Sequence, residues 1–257
     1  MELGLAGRTA FVGGSTAGLG AAIAQALSHE GARVAVTGRR GDLARSLAGE
    51  LQGAIGLEVD LADPHSVEAA VTATEQALGP IDILIINGGG PPVGAAADVT
   101  DEVVGAALEP LLLRPLQLVG RVLPQMRARG WGRVLAVGSS GVREPLADMV
   151  LSNVGRGALA AYLKTLAAEV AADGVTVNMI LPGRIETARV SQLDALRAQR
   201  DKTDVASVRR RSEQLIPMRR YGSPAEFAAV ACFLCSAAAS YVTGEQVRVD
   251  GGQARGY

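Results

Sequence analysis

The fold is decided by the stretch Thr9-Ala-Phe-Val-Gly-Gly-Ser-Thr-Ala-Gly-Leu-Gly20, close to the N-terminus. Its pattern predicts a short apolar strand, a glycine-rich turn and the start of a helix that continues through Leu27. A strand that enters a helix through glycines directs backbone N–H groups and the positive helix end at one point, which suits a pyrophosphate. An ordinary strand-to-helix turn can carry glycines too, and the spacing Gly14-x-x-x-Gly18-x-Gly20 differs from the common G-x-G-x-x-G. Its place between a strand and a helix favours phosphate binding.

Length, composition and charge limit the classes to which the protein can belong. Of 257 residues, 48% are hydrophobic and 20% are charged, so the chain can bury a sizeable core. The net charge of -1 indicates neither nucleic-acid nor anionic-membrane binding. No apolar run approaches the roughly 18 residues of a membrane span, and the N-terminus lacks the layout of a signal peptide. We therefore expect a cytoplasmic protein without a membrane segment.

The cysteines and histidines argue against a metal site. Cys232 and Cys235 form a C-x-x-C, a pattern found in redox pairs and in half of many zinc sites. They lie in an apolar helical pattern, where positions three apart share a buried face, so packing in the core is the stronger interpretation. The only histidines, His29 and His65, are far away in sequence. Zinc chemistry and a Ser-His-Asp arrangement are both disfavoured.

Apolar, strand-like runs alternate with helical patterns along the whole chain. They are Thr9–Val12, Arg33–Thr37, Ala54–Val59, Asp82–Ile86, Arg133–Val137, Val175–Leu181 and Gln246–Val249. Most are continuously apolar, as expected for strands that helices cover on both faces. Strands separated by helices indicate right-handed βαβ units. The prediction is an α/β protein with one domain, residues 1–257, built on a doubly wound parallel sheet.

The segments that follow these strands are candidates for one ligand site, because ligands of such sheets bind beyond the carboxyl ends of the strands. They are Gly14–Gly20, Thr37–Arg40, Asp60–Leu61, Asn87–Gly90, Gly138–Gly141 and Pro182–Thr187. Any one of them is compatible with simple turn chemistry. Six together, most of them small, polar or rich in glycine, predict a binding cleft.

With these segments assembled, the chain resembles the short-chain dehydrogenases/reductases almost from end to end. The motifs that carry the likeness are the glycine loop, Ile86-Asn-Gly-Gly89, Gly174-Val-Thr-Val-Asn178 with Leu181-Pro-Gly183, and Ala239–Gly244 with Val249-Asp-Gly-Gly252. Among subfamilies it is most similar to the 3-oxoacyl-acyl-carrier-protein reductases. The resemblance implies a single Rossmann-type domain and a nicotinamide cofactor, and it says much less about the substrate.

The resemblance also implies which residues bind the cofactor. These are Gly14, Ser15, Thr16, Gly18, Leu19, Gly20, Asp60, Leu61, Asn87, Gly88, Gly89, Arg156, Pro182, Gly183, Ile185 and Thr187. The choice between NAD(H) and NADP(H) has a physical argument of its own. NAD-binding proteins usually place an acidic residue after the second strand, whereas this chain has Arg39 and Arg40. A guanidinium grips a 2′-phosphate, so we expect NADP(H), although both arginines would also suit a solvated helix start.

The catalytic pattern departs from the family. Its members use Tyr-x-x-x-Lys on a helix and a serine about thirteen residues upstream. Aligned on the downstream Gly157–Leu159, this chain has Ser152 at the tyrosine position and Arg156 at the lysine position, while Ser139 keeps the upstream serine. Leu111 stands where the family has an asparagine. A serine is a weaker acid than a phenol and an arginine keeps its proton, so Ser139, Ser152 and Arg156 form a possible but poorer catalytic set.

The segment from about 188 to 221 corresponds to the mobile substrate lid of the family. Between Arg189 and Arg220 it holds nine basic and four acidic residues, an excess of five positive charges in a nearly neutral chain. This excess suits an acidic ligand such as an acyl-carrier protein or a phosphorylated acyl group. A solvated amphipathic helix would have the same composition.

Three functional hypotheses follow. The first is an NADP(H)-dependent reductase that acts on a 3-oxoacyl thioester or similar ketone. The second is an NADP(H)-binding sensor or scaffold without turnover. The third is a lyase site like that of the halohydrin dehalogenases, which Arg156 fits but the retained cofactor loop does not. By resemblance the helices near 101–128 and 152–172 also imply a homotetramer or homodimer.

Overall fold

The computed structural model describes residues 2–256 and contains seven strands and nine α-helices within that range. The strands are β1 Thr9–Val12, β2 Arg33–Gly38, β3 Ile55–Glu58, β4 Ile83–Ile86, β5 Gly132–Val137, β6 Val175–Pro182 and β7 Gln246–Val249. The helices are α1 Gly18–His29, α2 Gly41–Gly49, α3 Pro64–Leu78, α4 Asp101–Leu108, α5 Arg114–Ala128, α6 Val150–Val170, α7 Ala188–Arg200, α8 Val205–Leu215 and α9 Pro224–Leu234. Each predicted strand is present, with ends that differ by a residue or so.

One parallel sheet organises the molecule. Its strand order is β3-β2-β1-β4-β5-β6-β7, and every neighbouring pair is parallel. The chain winds outward from β1 to β3 and then returns to place β4 on the other side of β1. The carboxyl ends of β1 and β4 therefore diverge at a switch point, which is where doubly wound sheets bind ligands. The predicted fold class is confirmed.

Helices cover both faces of the sheet. One face packs against α3, α5 and α6 around a core that includes Phe11, Leu84 and Met126. The opposite face packs against α1, α2 and α9, with Ile23 and Phe227 fully buried. The strands are continuously apolar in sequence because alternate side chains point to opposite faces of the sheet, and helices cover both faces. Cys232 and Cys235 are free thiols inside the second layer.

A continuous helical run joins α4 to α5 through a π-helical turn at Glu109–Leu113. Pro110 lies in this turn and has no N–H to donate to the preceding helix, which is a local reason for the widened turn. The run 101–128 is long and apolar enough to span a membrane by length and composition, with a mean hydropathy of 1.3 over 18 residues of which 28% are buried. In the fold α5 packs against α3 and β5, as a layer helix does. The helix near 101–128 was expected, but the expectation that no apolar run approaches the length of a membrane span was wrong for this segment.

Candidate functional site

The glycine loop between β1 and α1 lies directly on the end of β4. The side-chain amide of Asn87 donates hydrogen bonds to the carbonyl oxygens of Gly13 and Gly14, at 2.9 and 3.1 Å. A Cβ atom on Gly20 would lie 2.5 Å from the carbonyl oxygen of Gly14 and 2.7 Å from the Asn87 amide nitrogen. Only glycine fits there. Asn87 therefore braces the loop against the neighbouring strand, in the place that the sequence predicts.

The start of α1 offers backbone donors to an anion. Its N-cap residue, Ala17, makes no side-chain cap, and the first turn has no acidic residue. The φ angles of Gly14 and Gly18 are +54° and +60°, so both occupy the left-handed region that favours glycine. Uncapped N–H groups at a helix N-terminus are a ready anion site. A pyrophosphate fits this loop, and Leu19 lies half-buried beside it.

Ser15 does not face this anion site. Its hydroxyl donates to the carbonyl oxygen of Val12 at 2.7 Å and accepts from the amide of Thr37 at 2.8 Å, and the residue is fully buried. Its amide donates to the Thr37 carbonyl oxygen at 2.7 Å. We expected a ligand contact at Ser15. In the structure, its hydroxyl and amide form hydrogen bonds with the ends of β1 and β2 instead, and these bonds fix the shape of the loop.

The residues expected at the adenosine end surround the carboxyl ends of β2 and β3. Arg40 donates to the hydroxyl of Thr16 at 3.3 Å, and Arg39 is exposed beside it. Asp60 is exposed, with one carboxylate oxygen accepting from the amide of Ala62 at 2.9 Å. Leu61 lies next to Gly88, whose added Cβ would be 3.3 Å from the leucine. Two cations thus stand where a ribose 2′-phosphate would be placed by this fold.

On the other side of the cleft, β6 leads into the lid. Pro182 ends β6, and Gly183 packs so closely on Asp250 that an added Cβ would lie 2.6 Å from its backbone. Ile185 is buried against Gly222. Thr187 caps α7 and lies 3.7 Å from the position of a Cβ on Gly18. The lid entrance therefore faces the glycine loop across the cleft, while Gly89 is exposed on the β4 side.

The two candidate catalytic serines lie on the elements that follow β5. Ser139 caps a short 3₁₀ turn, and its hydroxyl accepts from the amide of Gly141 at 3.1 Å. Ser152 is in the first turn of α6 and only 3% exposed. Within residues 2–256 its hydroxyl has no hydrogen-bond partner. Asn153, the next residue, fixes the connecting loop through two hydrogen bonds with the backbone of Leu146. The sequence analysis did not identify this role.

Arg156 follows Ser152 by one helical turn and points into the protein. Its guanidinium donates to the carbonyl oxygen of Val137, at the end of β5, over 2.7 Å. Burial and, to a lesser degree, the nearby charge of Arg189 lower the pKa of Arg156 to about 10. The side chain is therefore still a cation at neutral pH. It borders a cavity of about 20 Å³, shared with Asn87, Gly88 and Leu111, which has room for one water molecule.

Leu111 packs against the face of α6 that carries the catalytic candidates. The residue is buried, and its side chain lies 2.8 Å from the position of a Cβ on Gly155. Gly155 separates Ser152 and Arg156 in α6 and permits this close approach. An apolar side chain on the π-helical turn thus fills the space beside Arg156, and it offers no hydrogen bond to a proton relay.

Arg189 is a cleft residue that the sequence analysis treated only as part of the lid charge. It donates to the carbonyl oxygen of Pro91 at 2.8 Å and lies about 3 Å from the position of a Cβ on Gly90. The side chain therefore crosses from the start of α7 to the loop after β4. A usable sequence indication existed: Arg197 and Arg209 have an acidic residue four positions later, and Arg189 has none.

The rest of the lid is tied to the body by ion pairs. Asp194 is buried and accepts from Arg184 at 2.6 Å and from the hydroxyl of Tyr221 at 2.8 Å. Arg200 pairs with Asp148, in the loop before α6, at 2.5 Å. Further pairs join Arg197 with Asp201, Arg209 with Glu186 and Glu213, and Arg220 with Glu226. Much of the positive charge that the composition indicates is neutralised locally.

The C-terminal tail reaches the same region. Glu144 lies in the loop between Ser139 and α6, and its carboxylate accepts from the amides of Arg255 and Gly256 at 3.2 Å. Asp250 holds the turn before the tail by accepting from the amides of Gly252 and Ala254 at 2.9 and 3.0 Å. The tail is thus attached to the loop between Ser139 and α6.

Comparison with known proteins agrees with this geometry. A family profile described as enoyl-(acyl carrier protein) reductase matches residues 14–254. The human protein "Dehydrogenase/reductase SDR family member 4" is 34% identical over 253 residues, which are 96% of this chain and 88% of that protein. The 3-oxoacyl-[acyl-carrier-protein] reductase MabA of Mycobacterium tuberculosis is 30% identical over 250 residues, covering 97% and 94%.

This chain belongs to the short-chain dehydrogenase/reductase family. A solved structure supports the same conclusion: L-sorbose reductase from Gluconobacter frateurii, crystallised with NADPH and L-sorbose, superposes with a TM-score of 0.93 over 100% of both chains at 32% identity. The predicted family and its oxidoreductase class are confirmed. The individual site residues stay predictions, and the structure supports them through the placement described above.

Proposed function

We propose that this member of the family is an NADP(H)-dependent reductase of a carbonyl compound, a 3-oxoacyl thioester or a similar ketone, with Ser139, Ser152 and Arg156 at the reacting carbonyl. The observation that carries the proposal is the glycine loop, where an uncapped α1, positive φ angles and the Asn87 brace form a cradle for a pyrophosphate. Arg39 and Arg40 favour the phosphorylated cofactor.

The cofactor, when bound, supplies the hydride that the carbonyl carbon receives. The residues of the chain stabilise the negative charge that develops on the carbonyl oxygen and deliver a proton to it. Ser139 and Arg156 donate to the developing oxyanion. Ser152, or a water molecule, passes the proton. Because Arg156 keeps its charge at neutral pH, it stabilises the oxyanion without giving up its own proton.

A second candidate is an NADP(H)-binding sensor or scaffold without turnover. The observations that favour it are the serine at position 152, where the family has a tyrosine, and the apolar Leu111 beside Arg156. The serine is a weaker acid than a phenol, and the leucine offers no hydrogen bond to a proton relay. The cofactor cradle would persist in such a protein, because it depends on other elements.

Two measurements on the purified protein separate these candidates. Calorimetric titration with NADPH and NADH measures cofactor binding, and NADPH oxidation is followed with a panel of 3-oxoacyl thioesters and ketones. The reductase predicts NADPH binding and turnover with at least one compound. Binding without any turnover would favour the sensor, and absence of NADPH binding at millimolar concentration would contradict both.

We also propose a homotetramer, or failing that a homodimer, built on α4, α5 and α6. Exposed apolar side chains on α4, on the π-helical turn before α5 and on α6 support it: Val103, Leu113 and Val154 are 45%, 41% and 46% exposed. Light scattering of the native protein and of Val154→Glu would test it, since a buried contact would not tolerate the new charge. An acyl-carrier protein as partner has weaker support, because four of the nine basic lid residues are ion-paired.

A further inference from the structure

Two arginines from different helices reach the loop Asn87–Pro91 at the reacting end of the cleft. Arg156 comes from α6 and borders a cavity with Asn87 and Gly88. Arg189 comes from α7 and lies against Gly90 and Pro91. Arg156 uses one of its five N–H donors on the Val137 carbonyl, and Arg189 donates to the Pro91 carbonyl and to Gln192. Both keep N–H donors for a further acceptor.

Neither arginine is paired with a carboxylate in the part of the chain that the structure describes. The acidic residues around the cleft have other partners: Asp148 binds Arg200, Glu186 binds Arg209 and Asp194 binds Arg184. Two half-buried guanidinium groups are thus left with carbonyl and amide partners only. Burial is the main cause of the lowered pKa of Arg156, and the positive charge of Arg189 adds to it. A bound anion would relieve the repulsion between the two cations.

The position of the two arginines indicates that they would bind an anionic group of the substrate and not the cofactor pyrophosphate. The pyrophosphate cradle is the start of α1, where Thr187 faces Gly18 across the cleft. Arg189 is two residues after Thr187, and its side chain extends toward the carbonyl oxygen of Pro91. Arg156 is beside Ser152, at the carbonyl of the proposed substrate. The two cations therefore bracket the substrate end of the cleft.

We propose that the substrate is an oxo acid, a carbonyl compound with a carboxylate close to the reacting ketone, and that Arg189 binds the carboxylate while Arg156 binds the carbonyl oxygen. This inference rests on the proposed reductase function and names its substrate class. A guanidinium and a carboxylate form paired, charge-assisted hydrogen bonds, so the preference for an anion should be strong.

The test compares two compounds with the same reacting ketone. Acetoacetate carries the carboxylate, and the N-acetylcysteamine thioester of acetoacetate is neutral. Their affinity for the protein saturated with NADP⁺ is measured by calorimetry, and their reduction is measured with NADPH. We expect acetoacetate to bind about tenfold or more tightly than the thioester. Arg189→Gln should abolish this preference, and Arg197→Gln, on the same helix but paired with Asp201, should retain it.

The outcomes separate the two proposals. Equal affinity for the acid and the thioester would overturn the assignment of an oxo acid, and reduction of the thioester would still support the reductase. If Arg189→Gln weakened NADPH binding and left the preference unchanged, the guanidinium would serve the cofactor and the inference would be wrong. If acetoacetate bound in an Arg189-dependent manner but neither compound were reduced, the anion site would stand and the reductase function would fail.

Discussion

The two halves of the cleft differ in how completely they are built. In the cofactor half, the glycine loop, Asn87 and the β1–β2 junction satisfy one another with hydrogen bonds, and a single added methyl group at Gly20 would collide with backbone. In the catalytic half, the hydroxyl of Ser152 has no partner within residues 2–256 and Leu111 presents hydrocarbon. Many mutually supporting contacts thus shape the cofactor half, whereas proton delivery depends on the few residues that differ from the family pattern.

The largest effect on the fold and on cofactor binding should come from Gly20→Ala. The new Cβ would lie 2.5 Å from the Gly14 carbonyl oxygen, so the loop must move. We expect a loss of about 1–3 kcal/mol in the free energy of unfolding and the greatest loss of NADPH affinity among these variants. Thermal unfolding and calorimetry measure both. Gly49→Ala is the control, because an added Cβ there meets open space in a helix. Equal behaviour of the two variants would contradict the view that the loop is tightly determined.

Ser139→Ala tests the catalytic half. If Ser139 donates to the oxyanion, kcat should fall about 10²- to 10³-fold with little change in NADPH affinity, because the hydroxyl lies beyond the cofactor cradle. Single-turnover reduction measures the chemical step. Ser140→Ala, one residue further along the 3₁₀ turn, is the comparison and should change kcat much less. If both variants reduced the substrate at the wild-type rate, Ser139 would have no part in the chemical step.

A smaller effect is expected when Arg39 and Arg40 are both changed to alanine. Loss of the charge-assisted contacts to a 2′-phosphate should weaken NADPH about ten- to a hundredfold and leave NADH binding nearly constant. Titration with both cofactors gives the ratio. Arg45→Ala removes a cation from α2 that is already paired with Asp42 at 2.6 Å, and it should leave the ratio unchanged. A parallel loss for both cofactors would assign the arginines a structural role.

The smallest effect concerns the two cysteines, which lie outside both halves of the cleft. Burial raises the pKa of the Cys232 thiol to about 12 and that of Cys235 further still. A raised thiol pKa keeps the reactive thiolate scarce, so the native protein at pH 8 should react slowly with iodoacetamide, while the unfolded protein should react at both cysteines. Mass spectrometry counts the labels. Rapid labelling of the folded protein would contradict the core interpretation of the C-x-x-C.

The sheet and the cofactor loop were predictable because their physics is local. Continuous apolar runs indicated the strands, and the strand–glycine–helix order of the first segment indicated the cradle. The burial of Ser15 could not be predicted because sequence spacing does not reveal which way a loop residue faces, and its partner Thr37 is 22 positions away. That hydrogen bond depends on the pairing of β2 with β1, which the local sequence around Ser15 does not show.

The substrate end was less predictable because it is assembled from distant segments. Arg189 meets Pro91 across 98 positions of sequence, and Leu111 meets Gly155 through a π-helical turn that no periodicity in the sequence indicated. The lid composition suggested one positive surface. Its individual arginines have separate partners, which only the three-dimensional arrangement of acids and bases can show.

The attachment of the tail to Glu144 has a practical consequence for anyone who purifies this protein. Residues 255 and 256 are fastened to the loop that follows Ser139, so an affinity tag appended after them would be held against that loop. At the other end of the described residues, the carbonyl oxygen of Leu3 accepts a hydrogen bond from the amide of Ala237, which follows α9. A fusion partner placed before Leu3 would not be attached to the loop that follows Ser139, and assays of substrate preference are best made with that version.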